Sequence, residues 1–222
     1  MITPAATVFV IDDDESVRKS LRRLLDAAHY KTEVFNSATE FLSLSAYQGP
    51  SCVIVDVKMP VLTGIDFQEA LIEQGREEQL IFITAHGDIP MCAQAMKAGA
   101  VDFLPKPFRP SQLLKSVERA LTRSSEQLLR ASERNSARAL LERLTPREYE
   151  VMQLVATGLL NKQVGGELRM AEKTVKTHRA HMMQKLKITS VAELMVVLQK
   201  AEVIPAVKPG TKVQLCSGDL TR

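Results

Sequence analysis

Short apolar runs rich in β-branched residues alternate with helix-period segments through the first half of the chain. TVFVI at 7–11, CVIV at 52–55, LIFIT at 80–84 and VDFL at 101–104 predict strands, with a weaker run, TEVF, at 32–35. Helical spacing fills the gaps, over 17–27, 38–44, 65–74, 91–98 and 111–121. Strands that are apolar throughout, rather than alternating, fit burial on both faces. Five such strands interleaved with five helices predict an α/β fold with a parallel, doubly wound sheet.

Local signals agree with this reading. Asp14 is placed to cap the first helix, with an acidic residue in the first turn. Pro90 and Pro110 suit first turns, and Gly99 suits a helix end. Residues 111–144 read as one long helical stretch that extends into a polar linker, 123–143. Leu114, Leu121 and Leu128 recur at heptad spacing along it, which leaves a short dimeric coiled coil as the alternative. The rear half changes character: 146–156, 161–168, 172–186 and 190–200 all read as helix, which makes a separate all-α domain over 144–202. Residues 203–222 have no clear period and read as an irregular tail.

Composition narrows the picture. The 222 residues are 45% hydrophobic and 25% charged, an ordinary globular mix, and no apolar run is long enough to span a membrane. The start lacks the basic and small-residue features of a signal peptide. Cys52, Cys92 and Cys216 are odd in number and far apart, which fits a reducing cytoplasm and argues against a disulfide framework or zinc cluster. The net charge of +3 hides an asymmetry: 12 Lys+Arg against 16 Asp+Glu over 1–122, and 12 against 7 over 145–222. An acidic front suits a cation, or a phosphoryl donor with a metal; a basic rear suits nucleic acid.

The candidate chemistry falls at strand ends. Asp12 and Asp13 follow the first strand, Asp56 the third, Thr84 the fourth and Lys106 the fifth. In an open parallel sheet these ends form the ligand crevice. Three carboxylates converging there repel one another and call for a hard cation. Mg²⁺ suits the task because it keeps room for waters and phosphate oxygens. A lysine and a hydroxyl beside it can take the other oxygens of a phosphoryl group. The accessible carboxylate then serves as nucleophile and becomes an aspartyl phosphate. Each residue alone would be a cap, a turn or a solvated loop residue; the joint spacing makes the site.

IDDD at 11–14, VDVKMP with Gly64 at 55–64, TAHGD at 84–88 and FLPKP at 103–107 together resemble a response-regulator receiver domain over roughly residues 6–122. The resemblance implies a flavodoxin-like receiver, 1–122, that takes its phosphoryl group on Asp56 from a phosphohistidine of a sensor histidine kinase. It implies Mg²⁺ held by Asp12, Asp13, Asp56 and the backbone carbonyl of Lys58. Lys106 would pair with the phosphoryl group, Thr84 would move to bond it, and Lys106–Pro107 would be a cis peptide. Phe103 fills the switch-aromatic position, where many relatives have Tyr; without a hydroxyl the switch must work by ring burial, and a static core Phe is the alternative. The homodimer face implied is the fourth helix, fifth strand and fifth helix.

In the rear, Thr145, Pro146 and Glu148 form a capping-box start, and Gly158 a stop. The helix from Glu172 sets Val175, Met182, Met183 and Leu186 on one side and basic or small residues on the other, as a major-groove helix requires. LTPRE, GLLNKQV and EKTVKTHRAHMMQKL resemble the LuxR-type helix-turn-helix. With the receiver in front, the chain resembles the NarL/FixJ class of response regulators, nearer FixJ. By that resemblance Lys176, Thr177 and Ala180 face bases of double-stranded DNA. Lys162, Lys173, Thr174 and Arg179 contact phosphates, and His178 contacts a phosphate or packs. The protein implied is a cytoplasmic transcription regulator, not a turnover enzyme, that dimerises on phosphorylation and works with RNA polymerase. Three other readings remain: a small aspartyl-phosphate hydrolase, a regulator indifferent to phosphorylation, and a receiver whose rear domain binds protein or RNA. Gly165–Gly166 departs from the pattern. Each glycine costs up to about 1 kcal/mol in a helix interior; close helix approach accounts for one and leaves the other unexplained.

Overall fold

The computed structural model describes residues 6–85 and 89–205. Residues 1–5, His86–Asp88 within the TAHGD motif, and the expected tail from 206, with Cys216, lie outside the described residues. The chain divides into two compact units, Met1–Leu129 and Arg130–Arg222.

The first unit is a five-stranded parallel sheet in the order β2-β1-β3-β4-β5. Its strands are β1 (Thr7–Ile11), β2 (Lys31–Phe35), β3 (Ser51–Asp56), β4 (Gln79–Thr84) and β5 (Asp102–Pro105). The helices between them are α1 (Glu15–Ala27), α2 (Ala38–Leu42), α3 (Gly64–Glu73) and α4 (Ile89–Lys97), followed by α5 (Pro110–Leu141). The sequence expectation of a doubly wound α/β sheet is met. Each central strand feeds two cores by simple alternation. Phe9, Ile11, Val53, Val55, Leu80 and Phe82 join α2, α3 and α4 on one face. Val8, Val10, Cys52, Ile54, Ile81 and Ile83 join α1 and α5 on the other. Every residue of β1 and β3 is buried. Cys52 sits so deep that burial pushes its thiol up to about 12.

Helix ends are set locally. The Asp14 carboxylate accepts from the Ser16 and Val17 amides, as expected of a cap. Thr63 and Asp66 make a reciprocal capping box at α3. Gly99 ends α4 at φ +98°, a conformation that excludes most side chains. Gly64 is fixed by space rather than φ: an added Cβ would lie 2.6 Å from the Asp56 carbonyl oxygen and 3.2 Å from the Phe82 ring.

α5 matches the expected long helical stretch of 111–144, ending at Leu141. Leu113, Val117, Ala120 and Leu121 are buried against the sheet, and the Ser124 hydroxyl accepts from the Ser51 amide at 3.0 Å. Leu114 is half-buried and Leu128 exposed, so the heptad leucines form no single buried seam within the unit.

The second unit packs Ala137 and Leu141 of α5 with α6 (Pro146–Ala156), α7 (Asn161–Leu168), α8 (Glu172–Leu186) and α9 (Val191–Ala201). Thr145 and Glu148 form the expected capping box. Glu148 is buried and also accepts from Lys185 Nζ at 2.6 Å. Burial alone would raise its carboxyl, but the bonds from Lys185 and Thr145 outweigh it and hold the carboxyl below its ordinary value. Gly165 has a reason: a Cβ there would meet the Met170 carbonyl oxygen at 2.7 Å, with Val175 behind it. Nothing lies within 4 Å of a Cβ at Gly166, and the structure gives no reason for it.

Candidate functional sites

The carboxyl ends of β1, β3, β4 and β5 bring Asp12, Asp56, Thr84 and Lys106 together. Lys106 Nζ donates to Asp56 Oδ1 at 2.7 Å and to Asp12 Oδ2 at 3.0 Å. Both carboxylates are buried, Asp12 at 1% exposure. Each has a second tether: the Lys58 amide donates to Asp56 Oδ2 at 2.7 Å, and the Asp14 amide to Asp12 Oδ1 at 2.9 Å. Burial raises the Asp12 carboxyl above its ordinary range despite the Lys106 bond. For Lys106, burial pulls the ammonium down, but bonds to Asp56 and Asp12 win and raise it. The lysine is therefore a fixed cation shared by two acids.

Thr84 is fully buried, and its carbonyl accepts from the Lys106 amide at 2.7 Å. The Lys106–Pro107 bond is cis, as the resemblance implied. Phe103 is half-buried on β5, its ring centroid 6.1 Å from that of Phe82. Asp13 does not join the shared-lysine pair. It is exposed, and its carbonyl, with that of Asp12, accepts from Arg18 Nη1 at 2.8 and 2.6 Å. Among the described residues, no three acidic, His or Cys side chains are gathered as a ready metal cluster. The all-oxygen donor set still has the chemistry of a hard-cation site. Arg18 escaped the sequence reading because an arginine on an amphipathic helix reads as a solvated face.

In the rear unit, Lys162, Lys173, Thr174, Lys176, Thr177 and Ala180 are exposed or half-buried on α7 and α8, while Val175, Met182 and Leu186 are buried beneath. Lys176 pairs with Glu172 along the helix at 3.1 Å, and the Thr177 hydroxyl donates to the Lys173 carbonyl at 3.2 Å. Arg179 Nη1 donates to Asn161 Oδ1 at 3.0 Å, which ties α8 to the first residue of α7. Sequence reasoning missed Asn161; its place in the GLLNKQV motif, at a helix start, was the available signal.

An acid pocket with a bridging lysine at the mouth of a 2-1-3-4-5 sheet, in one chain with a helix-turn-helix, defines a class: response regulators that control transcription. Family models agree. The response regulator receiver domain matches residues 8–118, and the LuxR family of bacterial regulatory proteins matches 142–198. The chain is 47% identical over 191 residues to nodulation protein W of Bradyrhizobium diazoefficiens, covering 85% of this chain and 83% of that one. It is 36% identical over 199 residues to the transcriptional regulatory protein FixJ of Azorhizobium caulinodans, covering 90% and 94%. Among solved structures, response regulator StyR aligns with a TM-score of 0.79 at 44% identity, over 89% of this chain and 100% of that one. The chain belongs to the NarL/FixJ family of response regulators.

Among the described residues, no helix is long and apolar enough to cross a membrane.

Proposed function

We propose that Asp56 is the phosphoryl acceptor of this regulator and a sensor histidine kinase its donor. A carboxylate oxygen of Asp56 attacks phosphorus, the bond to the kinase imidazole nitrogen breaks, and that nitrogen keeps the electron pair. The observation that carries the reading is the Lys106 ammonium on Asp56 Oδ1 at 2.7 Å, a cation already in place where phosphoryl oxygens arrive. The donor set fits Mg²⁺: Asp12, Asp13, Asp56 and the Lys58 carbonyl would hold it, and when bound it offsets the charge of the incoming group.

Lys106 then pairs with the phosphoryl group, Thr84 bonds it, and the Phe103 ring sinks inward. That movement reshapes α4, β5 and α5, the homodimer face. A dimer presents two α8 helices to an inverted repeat, with Lys176, Thr177 and Ala180 at base edges. Lys162, Lys173, Thr174, His178 and Arg179 flank them toward phosphates. We read 1–122 as the phosphoacceptor domain, 123–143 as the helical connection, 144–202 as the DNA-binding domain and 203–222 as a tail. The protein acts in the cytoplasm with RNA polymerase, and its only catalysis is on its own Asp56.

The test is the full chain treated with acetyl phosphate and Mg²⁺. One phosphoryl mass gain and tighter DNA binding are expected for the wild type, and neither for Asp56→Asn. Equal mass gain, or equal DNA binding, in the variant would overturn the reading.

A further inference from the structure

One residue takes up the main chain of the acid loop between β1 and α1. Arg18 Nη1 donates to the Asp12 carbonyl at 2.6 Å and to the Asp13 carbonyl at 2.8 Å. The backbone amide of the same residue donates to the Asp14 carbonyl at 3.0 Å. Three successive carbonyls therefore meet Arg18. In an extended strand successive carbonyls point to opposite sides, so their convergence on one residue fixes a turn directly after β1. Arg18 is half-buried near the start of α1. Its neighbour Lys19 behaves as an ordinary surface cation and pairs with Glu15 along the helix at 2.7 Å.

The bonds from Arg18 are charge-assisted and so among the stronger ones a loop can have. They hold the main chain of Asp12 and Asp13 from the α1 side, while the Asp12 carboxylate is left for the crevice, where Lys106 meets it. Mg²⁺ tolerates little error in its ligands, because it needs near-octahedral geometry at about 2.0–2.1 Å. Groups that hold metal ligands in place are worth about 10–100-fold in metal affinity. The charge of the guanidinium acts in the opposite direction, since a cation beside the site repels a dication. Positioning and repulsion thus predict changes of opposite sign when Arg18 is removed.

On the reading of Asp12 and Asp13 as Mg²⁺ ligands, on which this rests, we propose that Arg18 is a positioning residue of the metal site. It fixes the loop from which these two aspartates reach Mg²⁺, and that gain in affinity outweighs the repulsion of its charge.

The test is Mg²⁺ affinity of the full chain, read from NMR shifts of the Asp13, Asp14 and Lys58 amides during titration with MgCl₂ at constant ionic strength. Arg18→Met, neutral and without donors, should weaken binding roughly tenfold. Arg18→Lys, which keeps a cationic donor, should restore much of the loss. If Arg18→Met misfolds, Arg18→Gln decides: it is neutral and too short to span both carbonyls, and it should also weaken binding. Labelling of Asp56 by acetyl phosphate should be slow in the weakened variant at low Mg²⁺ and recover at saturating Mg²⁺. Unchanged or tighter Mg²⁺ binding in a folded neutral variant would overturn the proposal alone, as would labelling that stays slow at saturation. A wild-type chain that binds no Mg²⁺ would sink the metal reading and this proposal with it.

Discussion

Gly165 and Gly166 are neighbours in one helix, yet alanine should have opposite effects at the two positions. At Gly165 the new Cβ would lie 2.7 Å from the Met170 carbonyl oxygen, a backbone atom fixed in the turn before α8. That turn must shift, at a cost of about 1–3 kcal/mol for overpacking, offset by up to about 1 kcal/mol of helix propensity. At Gly166 the Cβ enters open space, so the propensity gain of up to about 1 kcal/mol stands alone. The second unit spans residues 130–222, a size at which 1 kcal/mol moves Tm by roughly 4–8 °C. Calorimetry of the full chain should place the rear-unit transition several degrees above wild type for Gly166→Ala and below it for Gly165→Ala. DNA binding should survive the first and weaken in the second, because α8 follows the displaced turn. A Gly165→Ala variant as stable as wild type would refute the close-approach account. A destabilised Gly166→Ala would show that this glycine has a role its empty surroundings do not reveal.

Other outcomes follow from the same geometry. Val61 holds φ +70° while 98% exposed, a left-handed conformation unfavourable for a β-branched residue by about 1–2 kcal/mol, so Val61→Gly should raise the receiver's denaturation midpoint. An unchanged or lower midpoint would mean that the side chain compensates its own strain. Glu148 has a depressed carboxyl in the folded state, so its contribution is present above the ordinary 4.5 and is lost as pH falls through the folded value. Glu148→Gln keeps the cap but loses the charge. It should cost about 1–2 kcal/mol at neutral pH, discounted for the half-exposed Lys185, and flatten the acid limb of the rear unit's pH–stability curve; an unaltered acid limb would refute this. Lys162→Ala and Lys173→Ala, both at exposed positions, should each lower the slope of log K against log salt by about 0.9 for each DNA phosphate left without its lysine. A slope that stays put in both variants would move the DNA face elsewhere.

Much of this fold was legible because its signals are local. β1 falls on the expected 7–11 run, and α6, α7 and α8 on their expected spans, because caps, glycines and apolar periods all sit within a few residues of the boundaries they set. Less legible were features made by distant partners. The length of α5 matches the expectation of one helical stretch over 111–144, but not that Ala137 and Leu141 find apolar partners in α6 and beyond, where the stripe breaks into Ser, Asn and Arg, was legible. In the pocket, strand-end spacing placed Asp12, Asp56 and Lys106 at one end of the sheet, but not that one lysine bridges both acids or that Asp13 stays exposed. Such pairings depend on which side chains face inward once three strands are in register, which no single segment records. Gly64 shows the same limit: its need appears only when α3 is laid against the carbonyl of Asp56.

That close approach bears on how Asp56 can respond. The first residue of α3 rests on the backbone of β3 so closely that no methyl group could come between them. The strand beneath the carboxylate is therefore backed by a hard stop and cannot recoil. On the proposed reading, a displacement started at the carboxylate has its outlet through Lys106, the side chain that joins it to the end of β5. A glycine that carries no chemistry thus gives the site its direction.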